Sequence, residues 1–420
     1  MNPNLLSKYT GLLLLFFPAA LITIPHLGSA LLLLLVLTSL LGLYMQRNPV
    51  SLDKNEKYFL GIVTLNIVLY IFNVWHFDSK ISELDNISRF ILLLPIFFYV
   101  RKIILDPKYI FYGILIGAIA SLIIALYDIY VLQIIHRAHG TTSPVAFGGF
   151  SITLALMSFI IGLFSKNRST KALFYTGFIF ASCSSILSSA RGAWLVLPVS
   201  FVILLIANPK KWLLKTRIII TFIFMLFIAF SYFLPIVKHR VDYAVGNIKA
   251  YIIYDVSHTS TGARLEVWRA ATIAYRESPI FGIGEGNFKS KIQQLVAQGL
   301  VDEYLLELSH VHNEFISALL NRGILGLLIL LLLLLVPLVY FSRVFAAEQK
   351  ERNIQFDVQD MDHRKILPAL GVSLITTTII LSLTDIYFSQ HKNTIFFVSF
   401  IYVIYAVIKQ QNITSIQQPP

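Results

Sequence analysis

The sequence is poor in charge and in cysteine, and each scarcity narrows the class of protein. Only 13% of its 420 residues are charged, about half the share in an average soluble domain. Cys183 is the only cysteine, so neither an internal disulfide nor a cysteine-based metal site can form. Hydrophobic residues, by contrast, make up 56% of the chain. They fall in runs of about 20 residues, which predict membrane-spanning helices and exclude a barrel of shorter, alternating strands.

We predict an all-α polytopic membrane protein of about twelve transmembrane helices, the first an uncleaved span rather than a signal peptide. The predicted spans are 9–25, 29–46, 58–75, 90–100, 109–133, 148–164, 172–190, 192–207, 218–237, 315–340, 366–388 and 395–408. The apolar stretch 172–207 would be about 54 Å long as one helix, which exceeds the roughly 30 Å of a hydrocarbon core. It must therefore turn, and we expect the turn at Arg191-Gly192.

The net charge of +12 is distributed unevenly between the two sides of the predicted membrane. Twenty cationic residues fall in loops on one side. Only five fall in the short loops opposite: Lys80, Arg89, Arg137, Arg191 and Lys392. This bias predicts that both termini are cytoplasmic. The positive charge is thus mostly a signal for topology, and we expect no nucleic-acid partner.

One long loop leaves the membrane on the cation-poor side and divides the chain. Residues 1–237 carry nine spans, 238–312 form the loop, and 313–420 carry three spans and a cytoplasmic tail. A loop of this length without structure of its own would be unusual. Two amphipathic helices are predicted within it, with apolar stripes at Leu265, Trp268 and Thr272, and at Phe288, Ile292, Leu295, Val296 and Leu300.

The glycine-rich segment 281–287 between these helices lacks the features of a nucleotide-binding loop. No Gly-Lys-Ser/Thr follows it and no strand precedes it. We interpret it as a tight turn, and we expect no nucleotide to bind.

Two arginines are candidates for binding an anion. Arg264 lies in the first turn of the first loop helix, where a guanidinium and free N–H groups both favour phosphate; a solvated surface arginine is the alternative. Arg191 stands alone on the cation-poor side among small residues, where it could face a cavity between helices; the alternative is an interfacial anchor. Arg269 and Arg276 are interpreted as surface residues.

The segment His310-Val311-His312-Asn313-Glu314 ends the long loop and is its strongest chemical signal. Ionisable groups at a membrane boundary are costly and usually functional. His312 is a candidate general base, since a neutral imidazole accepts a proton near pH 7. His310, Asn313 and Glu314 could support it. On a helix the two histidines would point apart, whereas on an extended segment they could share a metal with Asp302, Glu303 or Glu307. No metal motif is present, so we expect no bound metal.

At these residues the chain resembles the O-antigen ligases of Gram-negative bacteria, within the wider O-antigen ligase and polymerase superfamily. His312-Asn313 is followed after nine residues by Gly323 and after two more by Gly326. The resemblance extends to Gly262-Ala263-Arg264-Leu265, to Ser189-Ala190-Arg191, and to the architecture of about twelve spans with one large periplasmic loop. It therefore covers most of the chain, although Leu327-Leu328 stand where some ligases have polar residues.

The resemblance implies a reaction and its partners. A polysaccharide on undecaprenyl pyrophosphate would be transferred to a sugar of the lipid A–core oligosaccharide, at the periplasmic face of the bacterial inner membrane, without cofactor. Arg191 and Arg264 would bind the pyrophosphate and His312 would serve as the base. An O-antigen polymerase or a protein O-oligosaccharyltransferase would use the same donor. A transporter is a more distant alternative, because transporters bind near the bilayer midplane.

Overall fold

The structure is a computed structural model that describes residues 3–46, 48–134, 137–198, 235–254, 256–350 and 360–417. Within these ranges the chain is helical and has no β-strand. The α-helices of these ranges are α1 Pro3–Thr23, α2 Leu27–Met45, α3 Lys54–His76, α4 Asp85–Leu92, α5 Leu94–Val100, α6 Lys108–Leu126, α7 Pro144–Phe164, α8 Arg168–Leu187, α9 Arg191–Trp194, α10 Pro235–Tyr254, α11 Gly262–Glu277, α12 Phe288–Ala297, α13 Glu314–Lys350, α14 His363–Ser382 and α15 His391–Gln417.

Nine helices in the described part of the chain are long and apolar enough to cross a membrane: α1, α2, α3, α6, α7, α8, α13, α14 and α15. The predicted class, an all-α polytopic membrane protein, is confirmed. Residues 199–207 of the predicted span 192–207 lie outside the described residues, as do residues 218–234 of the span 218–237. At the end of the second of them, α10 begins at Pro235 and remains helical to Tyr254.

The predicted fourth span, 90–100, is two short helices rather than one. Helix α4 ends at Leu92 and α5 begins at Leu94, with Leu93 between them. Pro95 lies in the first turn of α5. Because proline has no N–H and its ring clashes with the preceding turn, it starts a new helix instead of continuing the old one.

The turn expected at Arg191-Gly192 lies slightly earlier, at residues 188–190. Helix α8 ends at Leu187, and Ser189 has a left-handed backbone with φ 55°. The hydroxyl of Ser188 accepts a hydrogen bond from the N–H of Ala190 at 3.2 Å, so the turn satisfies its own backbone. Arg191 then opens the short helix α9.

By its internal contacts the chain divides into two units, each described separately below. The first unit comprises Met1–Ile67, Leu84–Ser200 and Leu331–Pro420. The second comprises Val68–Glu83 and Phe201–Leu330. It therefore contains the C-terminal part of α3, the first half of α13 and all described residues of the long loop.

The core of the first unit is formed by α7, α14 and α15, which are buried along most of their length. Helix α7 packs against α8 and α14, and α1 packs against α2 and α6. Helix α7 begins where Ser143 accepts a hydrogen bond from the N–H of Ala146 at 3.2 Å and Pro144 fixes the first turn. A buried ion pair, Arg101 Nε to Glu56 Oε1 at 2.6 Å, ties α3 to the residue after α5.

In the second unit, α11 and α12 lie where the two loop helices were predicted. The predicted stripe of α12 is partly buried, at Ile292 and Leu295. The predicted stripe of α11 is wrong, because Thr272 is exposed and Leu265 and Trp268 are only half-buried. Small residues form the buried face instead, since they allow the closest packing; they surround Glu266 and are Gly262, Ala263, Val267, Ala270, Ala271 and Ala274.

Candidate active site

Arg191 lies at the corner between α8 and α9 in the first unit, and small residues fix this corner. A Cβ on Gly148 of α7 would overlap Ser188 and the methyl group of Ala190. A Cβ on Gly192 would overlap the side chain of Thr384. The glycines therefore allow the corner to pack directly against its neighbours, which holds the backbone of Arg191 in place.

A second arginine contacts the same corner and was not a candidate from the sequence. Arg137 Nε donates a hydrogen bond to the carbonyl of Ser188 at 3.2 Å. Arg137 is exposed, and it lies on the segment that connects the π-helical turn Tyr127–Val131 to α7. Two of the five cationic residues predicted for the cation-poor side thus lie on contacting segments.

Asp128 supports this segment from within the first unit. It is buried, and its Oδ2 accepts hydrogen bonds from the N–H groups of His139, at 2.8 Å, and Gly140, at 2.7 Å. These bonds connect the turn Tyr127–Val131 to the backbone of His139 and Gly140, which follow it in the chain. The Asp128 carboxylate therefore has a structural role in holding this segment.

Arg264 lies in the first turn of α11, in the second unit. The hydroxyl of Thr259 accepts a hydrogen bond from the N–H of Gly262, the first residue of the helix, at 2.9 Å. A Cβ on Gly262 would lie only 2.5 Å from the carbonyl oxygen of Val256. The incoming chain can therefore approach the helix start closely only because this residue is glycine. Arg264 itself is half-buried.

Glu266 lies on the buried face of α11 and accepts several hydrogen bonds within the second unit. It is 1% exposed. Its carboxylate accepts bonds from Arg269 Nε at 2.9 Å, the Tyr251 hydroxyl at 2.7 Å and the Asp302 N–H at 3.2 Å. Burial acts to raise the pKa of Glu266, but these hydrogen bonds outweigh it and the pKa lies below its ordinary value. The carboxylate thus joins α10, α11 and the segment before the 3-10 helix Glu303–Glu307.

Arg269 is consequently more than the surface residue that the sequence indicated. Its side chain is about half exposed, but its guanidinium is paired with the buried carboxylate of Glu266. A carboxylate that is buried as deeply as that of Glu266 requires a cationic or hydrogen-bonding partner. Arg276, in the last turn of the same helix, is exposed as expected.

His312 lies on an irregular segment directly before α13. Its backbone is left-handed, with φ 52°, a conformation that is uncommon for a residue with a side chain. The rings of His310 and His312 lie 4.1 Å apart between centroids. Nδ1 of His310 is 2.7 Å from the hydroxyl of Ser309. The two imidazoles, which would point apart on a helix, are neighbours here because the segment is not helical.

Asn313 and Glu314 form the start of α13. Asn313 Oδ1 accepts hydrogen bonds from the N–H groups of Phe315, at 3.0 Å, and Ile316, at 3.1 Å. Asn313 is therefore the N-cap of the helix. Glu314 follows in the first turn and is 3% exposed. A carboxylate at this position also suits the positive end of the helix dipole.

Trp268 connects the helix of Arg264 to the segment of His312. Its indole Nε1–H donates a hydrogen bond to the carbonyl of Val311 at 2.9 Å. Trp268 is one turn beyond Arg264 on α11, and Val311 lies between the two histidines. The candidate anion-binding helix and the candidate base thus belong to directly bonded segments of the second unit.

The two glycines of the motif have separate steric roles in the second unit. Gly323 has a left-handed backbone inside α13, with φ 64° and ψ −163°, and a Cβ there would overlap the carbonyl of Ile280. A Cβ on Gly326 would overlap the side chain of Arg322. The first glycine allows α13 to break, and the second gives Arg322 room beside the helix.

The structure distributes the predicted site residues between the two units. The first unit holds Arg191. The second holds the others: Arg264, His310, His312, Asn313 and Glu314. The sequence did not identify Trp268 as a hydrogen-bond donor or Arg322 as a buried cation. A signal for the second was present, since an arginine directly before a motif glycine at a membrane span is unusual.

A membrane-embedded helical protein with arginines and an imidazole pair at helix starts has the groups to bind a phosphate and to accept a proton. Comparison with known proteins narrows this class. Residues 176–331 match the family model described as O-antigen ligase. The match confirms the resemblance to the O-antigen ligase superfamily over this segment, and it supports an enzyme of the glycosyltransferase type.

A relative from Haemophilus influenzae is similar over most of both chains. It is 27% identical over 304 residues, which are 71% of this chain and 75% of the relative, and it is described as an uncharacterized protein. The relative thus adds no assigned activity. Together with the apolar helices, the family match identifies a multi-pass bacterial membrane protein.

Proposed function

We propose that the protein is an O-antigen ligase. It transfers a polysaccharide from undecaprenyl pyrophosphate to a sugar hydroxyl of the lipid A–core oligosaccharide, in the periplasmic leaflet of the inner membrane. The observation that carries this proposal is the extent of the family match. Residues 176–331 enclose Arg191, Arg264 and His312 in one family segment.

The donor in this reaction is already activated. The bond between the anomeric carbon and the pyrophosphate oxygen breaks, and negative charge develops on the diphosphate. Two guanidiniums, those of Arg191 and Arg264, stabilise that charge by charge-assisted and often bidentate hydrogen bonds. Pyrophosphate is a good leaving group, so the reaction needs neither a nucleotide nor a metal.

His312 accepts the proton of the acceptor hydroxyl as its oxygen attacks the anomeric carbon. A single displacement of this kind inverts the configuration at that carbon. His310, 4.1 Å away between ring centroids, and the cap residue Asn313 support the base. Glu314, buried beside them, is the third supporting residue in this proposal.

The hydrogen bond between Trp268 and Val311 supports the assignment of Arg264 and His312 to one site. It links the helix of the proposed anion ligand to the segment of the proposed base. The excess of cationic residues in the opposite loops supports cytoplasmic termini and a periplasmic site.

Two related reactions differ from this one only in their acceptor. An O-antigen polymerase adds the glycan to a second lipid-linked glycan, and a protein O-oligosaccharyltransferase adds it to a peptide. The ligase description of the matching family favours lipid A–core. Transport is disfavoured by Asp128, whose carboxylate is already bonded to backbone N–H groups.

The decisive experiment is transfer in vitro with purified protein and lipid-linked glycan, offered lipid A–core, a peptide or a second lipid-linked glycan. We expect product only on lipid A–core, with release of undecaprenyl pyrophosphate and undiminished rates in EDTA. Product on another acceptor would identify the corresponding relative of the ligases. Absence of product on all three would refute glycosyl transfer.

A further inference from the structure

Helix α13 is broken at Gly323, and a loop from elsewhere in the second unit completes its hydrogen bonds. The N–H of Ile324 bonds to the carbonyl of Pro279 at 2.9 Å. The N–H groups of Ile283 and Gly284 donate to the carbonyls of Leu320, at 2.9 Å, and Asn321, at 3.0 Å. A break within a membrane span is stable only where other groups satisfy the backbone in this way.

We call residues 279–287, which make these bonds, the inserted loop. Glycines on both partners make its approach possible. A Cβ on Gly282, which has φ 74°, would overlap the backbone of Asn321 and Arg322. Within this loop the N–H groups of Gly282, Ile283, Gly284 and Asn287 are bonded to carbonyls of the protein. The segment 281–287 therefore does more than turn the chain, and it is not built to hold a phosphate.

Asn73 of α3 joins the inserted loop to the broken helix. Its Nδ2 donates to the carbonyls of Phe281 and Asn321, both at 3.1 Å. Its Oδ1 accepts the N–H of Glu285 at 2.8 Å. Asn73 is 1% exposed. One amide thus bonds three backbone groups and uses both of its polar atoms.

An ion pair completes this arrangement. Glu285 of the inserted loop pairs with Nη1 of Arg322 and accepts a hydrogen bond from Asn321 Nδ2 at 3.1 Å. The Arg322 guanidinium lies over the ring of Tyr70, 4.1 Å from its centroid. Arg322 is 4% exposed and Glu285 is 9% exposed. We call Asn73, Glu285 and Arg322 the polar clamp.

Stability alone is a weak explanation for a buried ion pair. Well-packed apolar residues of similar volume usually hold two elements together at least as well. Ionisable residues within membrane spans are rare and generally serve a function. What the clamp fixes is the orientation of the half-helix from Glu314 to Arg322, which is about 13 Å long at 1.5 Å per residue.

The N-terminal end of this half-helix carries the proposed base. Asn313 caps it, and His312 directly precedes the cap. At that end Trp268 holds the carbonyl of Val311. The segment is thus fixed at both ends, by an indole near His312 and by the clamp at Arg322.

We infer that Asn73, Glu285 and Arg322 are positioning residues, which set the orientation of His312 toward its substrate through the half-helix. This inference rests on the proposed role of His312 as the base. The clamp does not touch the reacting groups in this account. Its loss tilts the half-helix, and a displacement of about 1 Å in a reacting group can cost about a hundredfold in rate.

The test compares full-length, purified Glu285→Gln, Arg322→Gln and the double variant. We expect each single variant to lower kcat by about 10- to 100-fold, with the KM for lipid-linked donor within about twofold of wild type. Because one ion pair is removed in all three, the double variant should be no slower than the slower single variant. The inference would be overturned if the losses in kcat of the two single variants multiplied in the double variant. It would also be overturned if only KM changed.

Glu277→Gln and Lys291→Gln are the matched controls. These two residues form another ion pair of the second unit, between α11 and α12, and Glu277 is half exposed. Both controls should keep kcat within about twofold of wild type. If the Gln variants of the clamp do not fold, Glu285→Asp and Arg322→Lys carry the comparison. They keep both charges but alter the reach, and kcat should fall by about tenfold; wild-type kcat in both would refute the inference.

A substrate-free readout separates this inference from the proposed function. Diethylpyrocarbonate modifies accessible neutral imidazoles, and tandem mass spectrometry resolves His312 from His310. The modification rate of His312 should change by at least about threefold in the clamp variants, while that of the exposed His258 stays constant. If wild type transfers no glycan, the proposed function fails, yet the labelling still tests the clamp. Unchanged labelling of His312 would refute the clamp even if transfer is confirmed.

Discussion

The carbonyl oxygen of Ile280 occupies the space that a side chain on Gly323 would need. This contact explains why a glycine stands at position 323, where nine residues separate it from Asn313. The residue must adopt φ 64° to break the helix, and it must leave room for a neighbouring backbone. The sequence from His312 to Gly323 therefore contains a junction between two segments as well as the proposed base.

Gly323→Ala should disrupt this junction. The left-handed backbone alone costs about 1–3 kcal/mol for a residue with a side chain, and the overlap with Ile280 adds to that. We expect a lower midpoint of thermal unfolding in detergent and reduced yield. Gly246→Ala on α10, where a Cβ meets no other atom within 4 Å, is the control. Equal midpoints for the two variants would contradict the proposed strain.

His312→Ala should abolish transfer while the protein remains in the membrane at wild-type levels. The reason is that a general base contributes about 10²- to 10⁴-fold to the rate. Capped lipopolysaccharide in cells, together with transfer in vitro, measures the loss. His258→Ala removes an exposed imidazole of the same unit and should be nearly silent. Near-normal transfer by His312→Ala would rule out the base assignment.

Arg191→Ala and Arg264→Ala should each reduce kcat/KM by about 10²- to 10³-fold, the range for removing one group that stabilises developing charge. Arg276→Ala, an exposed arginine of α11, should retain nearly full activity. Arg269 is unsuitable as a control, because its loss would leave the buried Glu266 carboxylate without its cation. Equal, mild losses in all three variants would return Arg191 and Arg264 to the role of surface charges.

Trp268→Phe tests the bond between α11 and the histidine segment. Phenylalanine keeps an aromatic ring but lacks the donor to the Val311 carbonyl. A hydrogen bond of about 1 kcal/mol corresponds to roughly a fivefold loss in kcat if it orients the site. Trp75→Phe, at a side chain that is 76% exposed, supplies the comparison. Identical kinetics for the two variants would show that the bond does not influence His312.

The lowered pKa of Glu266 predicts how the stability of the second unit changes at acid pH. Its folded pKa is lowered, so the carboxylate stabilises the fold above its ordinary pKa of 4.5 and ceases to do so as the pH falls through the folded value. Asp302, whose pKa is lowered chiefly by a hydrogen bond from Ser257, acts in the same direction. Wild type should therefore lose stability below about pH 5.

Glu266→Gln should remove part of this response. At pH 7 it should unfold more readily by about 1.5–3 kcal/mol, the range for hydrogen bonds to a charged group. Its midpoint of thermal unfolding should also vary less below about pH 5 than that of wild type. The exposed Glu303→Gln serves as control. A wild-type pH profile for Glu266→Gln would contradict the assignment.

The sequence predicted the helical membrane class and most spans, because a run of apolar residues is a local property that lipid selects directly. It failed where a proline or a side-chain hydrogen bond, rather than hydropathy, determines where a helix begins or ends. Pro95 divided the fourth span, and the Ser188 hydroxyl moved the expected turn ahead of Arg191. The buried face of α11 was missed because alanines and Glu266 form it, and hydrophobicity alone does not rank these as core residues.

The candidate site was predictable as a set of residue types but not as an arrangement. His312 and Arg264 are chemically conspicuous in a chain with so little charge. The contacts that join their segments depend on residues distant in sequence, such as Trp268 with Val311 and Asn73 with Glu285. No local pattern predicts such pairings, and the roles of Arg191, Arg264 and His312 remain predictions until the variants are measured.

The inserted loop has a consequence for how the protein is made. The first half of α13 cannot enter lipid as an isolated segment, because the carbonyls of Leu320 and Asn321 and the N–H of Ile324 depend on the inserted loop. Translation supplies that loop and Asn73 before α13 emerges from the ribosome. Stable insertion of this span therefore depends on partners that are synthesised before it.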